Sequence, residues 1–135
     1  MKIKTDKYDK RFSQLIRLRD VVCQRCGKGG RLECSHVHSR RHKAIRWDTR
    51  NAKALCFTCH QWYGANPVEA SEWLKSIVGE RQYDILRLIA HKATKAPDQA
   101  YMDILYGEMK EEIDYLRSVP EEKRRKLQFR NRYIG

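Results

Sequence analysis

The chain has 135 residues and a formal net charge of +12, with no apolar run long enough to span a bilayer, so the expectation is one domain with an appendage and no membrane partner. Residues 1–60 carry 16 Lys/Arg against 5 Asp/Glu and residues 123–135 carry 6 against none, whereas residues 61–122 carry 7 against 12, so positive charge is clustered and nucleic acid is the natural polyanionic partner. The start, Met1-Lys2-Ile3-Lys4-Thr5-Asp6-Lys7, lacks the apolar stretch of a secretory signal, which points to a cytoplasmic location and to five cysteines that are thiols or metal ligands rather than disulfides.

In residues 8–20, Phe12, Leu15 and Ile16 fall at i, i+3, i+4 and predict a short helix packed by one face, leaving Lys10, Arg11, Arg17 and Arg19 free to reach phosphates. Gly27, Gly29 and Gly30 allow a tight reversal, and residues 31–36 alternate as a strand with Leu32, Cys34 and His36 on one face. A polar, basic loop over 37–51 leads to a second, weaker strand at 52–56 and a helix over about 58–63. Asn66-Pro67-Val68-Glu69 reads as N-cap, first helical position and N3, starting a helix that ends at Gly79. A helix over about 80–94 should bury Tyr83, Leu86, Ile89 and Ala90. Another, over about 98–117, aligns Tyr101, Leu105, Met109, Ile113 and Leu116, a stripe suited either to the core or to a homodimer. The expected organisation is an α+β chain: a basic N-terminal helix at 1–22, a zinc-framed core at 23–66, a helical region at 67–118 and a basic, flexible tail at 119–135.

Cys23-Gln24-Arg25-Cys26 and Cys56-Phe57-Thr58-Cys59 are two Cys-x-x-Cys pairs, the pattern of a structural zinc held tetrahedrally by four thiolates. Cys34 reads as a small buried residue. The stretch between the pairs holds His36, His38, His42 and Asn51, and His60 follows Cys59. If Cys59 faces the zinc from a helix start, His60 is turned away by about 100° and faces the strand that bears His36. One imidazole can then deprotonate water while the other holds a divalent cation on a phosphodiester. The bland readings are a core histidine or zinc neighbour at 36 and a packing residue at 60. His38 and His42 read as phosphate contacts or loop residues, and His91 as structural or exposed. Arg40, Arg41, Lys43, Arg46 and Arg50, with Arg17, are the candidate DNA contacts. Trp47 reads as a loop anchor or a base-stacking residue, and Trp62 and Trp73 as core.

His36, Asn51 and His60, set within the cysteine pairs, resemble the motif of the HNH (His-Me finger) endonucleases with a zinc-ribbon frame. Phe12 to Asp20 followed by Cys23-x-x-Cys26-Gly27, then His36-Val37-His38-Ser39-Arg40 and Arg46-Trp47-Asp48-x-x-Asn51, is similar to the phage NinG (Rap) recombination endonucleases, over roughly residues 10–90. The resemblance implies a ββα-metal fold, His36 as general base, Asn51 as a brace of the loop and His60 as ligand of a catalytic Mg2+ or Mn2+. Its usual ligand position before the base is held here by Ser35, a poor ligand, so His38 or Ser35 is a candidate second donor. It also implies a DNA substrate, including branched recombination intermediates, and a phage protein working in the bacterial cytoplasm.

Overall fold

A computed structural model describes residues 3–92 and 95–124; of the tail expected at 119–135, residues 121–124 form a helical turn with Arg124 donating to the Leu18 carbonyl, and residues from 125 onward lie outside the described residues. Helix α1 spans Lys7–Asp20, strand β1 Glu33–His36, strand β2 Ala52–Leu55, helix α2 Phe57–Ala65, α3 Pro67–Val78, α4 Glu80–Lys92 and α5 Gln99–Ser118. A 3-10 turn at Thr49–Asn51 leads into β2. No helix among the described residues is long and apolar enough to cross a membrane.

Helix α1 begins with a reciprocal capping box: the Asp9 backbone N–H donates to the Asp6 carboxylate, and the Asp6 N–H to the Asp9 carboxylate. Its Phe12, Leu15 and Ile16 are fully buried, as the spacing predicts. It ends at Val21, whose φ of 66° is unfavourable for a β-branched residue and turns the chain toward the first cysteine pair.

The strands form an antiparallel pair with Glu33 opposite Leu55, Cys34 opposite Ala54, Ser35 opposite Lys53 and His36 opposite Ala52. β1 is shorter than expected, because Arg31 and Leu32 follow Gly30 at φ 87° before the ladder begins. Ala52 and Ala54 are completely buried in the cluster with Phe12, Leu15 and Ile16. A small residue is needed there for α1 to approach the hairpin, and this packing outweighs the weak strand propensity of Ala. Each fully buried large apolar side chain contributes about 1.5–3 kcal/mol.

Arg19 and Arg11 correct the expectation of a free basic face on α1. Arg19 is buried, pairs with Asp20 at 2.7 Å and donates to the carbonyls of Thr49 and Ala52, while Asp20 accepts from the Ala54 N–H. Arg11 donates to the Tyr106 carbonyl and lies 3.5 Å over its ring. These contacts tie α1 to β2 and to α5.

The stripe on α5 is core: Met109, Ile113 and Leu116 are buried with α1, and Leu105 packs against them. That part of the face is occupied within the chain, whereas Tyr101, expected on the same stripe, is 55% exposed. Asn66 joins α2 to α3, but its side chain bonds back to the Trp62 carbonyl rather than capping α3. On α4, Leu86 and Ala90 are buried against Ile45, whereas Ile89, expected inside, is 37% exposed.

Candidate active site

The four paired cysteines converge. The Sγ atoms of Cys23, Cys26, Cys56 and Cys59 lie within 4.8 Å of one another, and Cys26 and Cys56 are 3.8 Å apart. A tetrahedron with Zn–S bonds of about 2.3 Å has edges of about 3.8 Å, so the geometry and the all-thiol donor set fit a structural zinc. Burial acts to raise the Cys23 thiol, but backbone hydrogen bonds from Cys26, Cys56 and Arg25 outweigh it and hold the pKa at about 6. Burial pushes Cys59 up to about 12, so its proton is released when metal binds. Cys56 is also the N-cap of α2, accepting from the Cys59 N–H, so the metal frame sets where that helix starts. Cys34 stays outside the cluster, and burial pushes its thiol up to about 12.

His36 ends β1 with its ring stacked on Phe12 at 5.7 Å. Its Nε2 lies 2.9 Å from the Arg46 carbonyl. A carbonyl only accepts, so Nε2 carries the hydrogen and the neutral ring has its lone pair on Nδ1. Burial lowers the pKa of His36 from its ordinary value, outweighing the raising effect of the Arg46 carbonyl. The imidazole is thus a neutral acceptor near pH 7, the state a general base needs.

Asn51 is fully buried. Its side-chain oxygen accepts from the His38 N–H, and its amide donates to the carbonyls of His38 and Ile45, both at 3.1 Å. One side chain therefore closes the loop that carries Arg46 and, through it, His36. Tyr63 on α2 adds a second clamp, its hydroxyl reaching the carbonyls of His36 and Val37.

His60 sits one residue past Cys59 and turns away from the cysteine cluster. Its Nδ1 is 2.8 Å from Oε1 of Glu33 on β1. Sequence reasoning missed Glu33. The available signal was the hairpin register: Glu33 pairs with Leu55, immediately before the first turn of α2.

His36 and His60 line one cleft of about 910 Å3 between α1, β1 and α2, together with Glu33, Cys34 and Ser35. Lys10, Arg17, Arg31 and Arg40 also line it. Arg31 was not foreseen. Arg40 donates to the Ile3 carbonyl and the Thr5 hydroxyl, and Arg17 to Ser13, so both guanidiniums are steered at the cleft wall.

Other expected site residues lie elsewhere. Arg46 is buried, clasped by both carboxylate oxygens of Asp9, and Trp47 also donates to Asp9, as a loop anchor does. Arg50 is engaged bidentately by Asp48, whose hydrogen bond raises its pKa. Arg41 and Lys43 are exposed on the loop but do not line the cleft. His38, a candidate second ligand, points to α4: its Nε2 meets the Tyr83 carbonyl at 3.0 Å and its ring packs on Tyr83. His42 packs edge-on to His91. Ser35, the other candidate donor, is buried in the cleft wall. Trp62 and Trp73 pair edge-to-face, and Arg25 lies 3.6 Å over the Trp62 ring.

Residues 23–65 match the family model of the HNH endonucleases. The matched segment holds the cysteine cluster, the hairpin and α2, and it supports nuclease function, DNA as substrate and divalent-metal use in general terms. No match to the chain was found among curated proteins or among solved structures.

Proposed function

We propose that this chain is a divalent-metal-dependent DNA endonuclease in which His36 is the general base and His60 holds the catalytic cation. The observation that carries this reading is the convergence of the two histidines, from a strand and from a helix, on one cleft walled by Lys10, Arg17, Arg31 and Arg40. In it, Nδ1 of His36 takes a proton from a water molecule. The resulting hydroxide attacks phosphorus in line, the P–O3′ bond breaks, and the departing oxygen takes a proton from solvent. Mg2+ or Mn2+, when bound, supplies positive charge to the phosphate and the leaving oxygen. Mg2+ keeps several waters and binds largely through substrate phosphates, so a single imidazole would be its one protein contact. The basic side chains hold the flanking phosphates, and Asn51 and Tyr63 keep the base-bearing loop in register. The zinc fixes the start of α2, and thereby His60, without touching substrate.

The resemblance to the NinG endonucleases extends the proposal to a phage protein acting in the bacterial cytoplasm on branched recombination intermediates or nicking duplex DNA. Ser35, a neutral group where these enzymes usually place a ligand, favours a second reading as a non-catalytic zinc DNA-binding module. Zinc-loaded protein incubated with supercoiled plasmid and with a four-way junction, with and without added Mg2+ or Mn2+, separates the two. Metal-dependent cutting supports the enzyme; retention of DNA without cutting in either metal supports the module.

A further inference from the structure

The cleft offers few donors for a hard divalent cation. Both Asp9 oxygens are engaged by Arg46, with Trp47 and the Asp6 N–H as further donors. The Cys34 thiol suits softer metals. Glu33 is the remaining carboxylate among the described residues that line the cleft, and it stands 2.8 Å from Nδ1 of His60. A carboxylate only accepts, so that contact places the hydrogen on Nδ1 and the lone pair on Nε2. A cation on Nε2 lies across the ring from Glu33. The bound carboxylate oxygen is then far outside the roughly 2.0–2.6 Å range of oxygen–metal bonds. Glu33 therefore does not replace the ligand missing at Ser35.

We propose that Glu33 is a positioning residue that fixes the tautomer and direction of His60, so that the cation takes one protein nitrogen and completes its shell with water and the DNA phosphate. Carboxylate–histidine–metal arrangements of this kind raise ligand basicity and hold the ring in place. With a single protein donor the cation binds weakly to the free protein and tightly once DNA is in the cleft, so metal and substrate arrive as one unit. The inference rests on the reading of His60 as the cation ligand.

The test is a Mn2+ titration followed by electron paramagnetic resonance. It uses zinc-loaded full-length protein in a His36→Ala background, which keeps DNA uncut, with and without a short duplex. Zinc content per chain and the melting temperature verify folding. The duplex should tighten Mn2+ binding by about tenfold or more, and Glu33→Ala should weaken it by about 10–100-fold. Glu33→Gln keeps an oxygen that accepts from Nδ1–H but lacks the charge that raises ligand basicity, so it should lose less affinity than Glu33→Ala. Loss with Glu33→Gln as large as with Glu33→Ala would make Glu33 a direct ligand and overturn the positioning role. Binding unchanged in Glu33→Ala would remove Glu33 from the site. Binding unchanged in His60→Ala would instead overturn the assignment of His60 itself, whatever the Glu33 variants do. Equal Mn2+ affinity with and without the duplex would refute the joint arrival of metal and DNA.

Discussion

Asp9→Asn removes the charge that faces the buried guanidinium of Arg46. Both side chains are 6% exposed, and the pair is joined by two hydrogen bonds, with Trp47 donating to the same carboxylate. The next acid, Asp6, is 3.9 Å from Arg46 and 42% exposed, so it compensates in part. Breaking a buried pair by removing one partner costs about 3–5 kcal/mol. The residual Asn oxygen and Asp6 place this case at the lower end, about 3 kcal/mol, or a fall in melting temperature of about 6–12 °C for a chain of this size. The assay is thermal unfolding of the zinc-loaded protein at pH 7, with Asp114→Asn as control; that residue pairs with Lys110 on the exposed face of α5, and its loss should not shift the transition measurably. Burial acts to raise the Asp9 pKa, but the Arg46 guanidinium and the Asp6 N–H outweigh it and leave it lowered. A carboxyl whose folded pKa is lowered adds stability above its unfolded pKa, about 3.9, and loses it as pH falls through the folded value. Wild type and Asp9→Asn should therefore differ fully at neutral pH and converge only in acid below about pH 4. Since the Arg46 carbonyl holds Nε2 of His36, cleavage should fall along with stability. A variant that melts within about 2 °C of wild type would refute the claim that this pair anchors the loop.

Because burial lowers the His36 pKa and the proposed base acts through its neutral ring, the acid limb of kcat/KM should lie below about pH 6.5, with a plateau above it. A limb at or above the ordinary histidine value would contradict that environment. Cys59→Ser should abolish stoichiometric zinc and lower the melting temperature sharply, measured by metal analysis and calorimetry, because one ligand of the cluster is lost at the first turn of α2. Arg17→Ala should weaken DNA binding and reduce the salt slope by about one while leaving the melting temperature unchanged. Arg19→Ala should do the reverse, since Arg19 is buried against Asp20 and two backbone carbonyls.

Cysteine spacing made the zinc frame legible, and the relation of Cys59 to His60 made the second face of α2 legible from helical geometry alone. The hairpin and the five helices followed from periodicity and from turn residues such as Gly79. Charge was a poorer guide, because a basic side chain carries no mark of whether it meets solvent or a buried acid. Asp9 held the missing information: it falls on the buried stripe of α1, at i, i+3 and i+7 with Phe12 and Ile16, and an acid there requires a cation from elsewhere in the chain, which Arg46 supplies. Asp20, also buried beside Arg19, carried the same signal. Glu33 escaped notice because its contact with His60 depends on how β1 meets α2 across 27 residues of sequence. Ile89 was misplaced because α4 packs through a narrow face, Leu86 and Ala90 against Ile45, and leaves Ile85, Leu88 and Ile89 partly in solvent.

Cleavage by wild type and His36→Ala, compared under single-turnover conditions in Mg2+ with zinc content and DNA affinity measured on the same preparations, tests the central claim most directly. Wild type should cut, the variant should lose about 10^2-fold or more in rate, and its zinc content and DNA affinity should be unchanged. Equal cutting by the two proteins would contradict the assignment of His36 as the base.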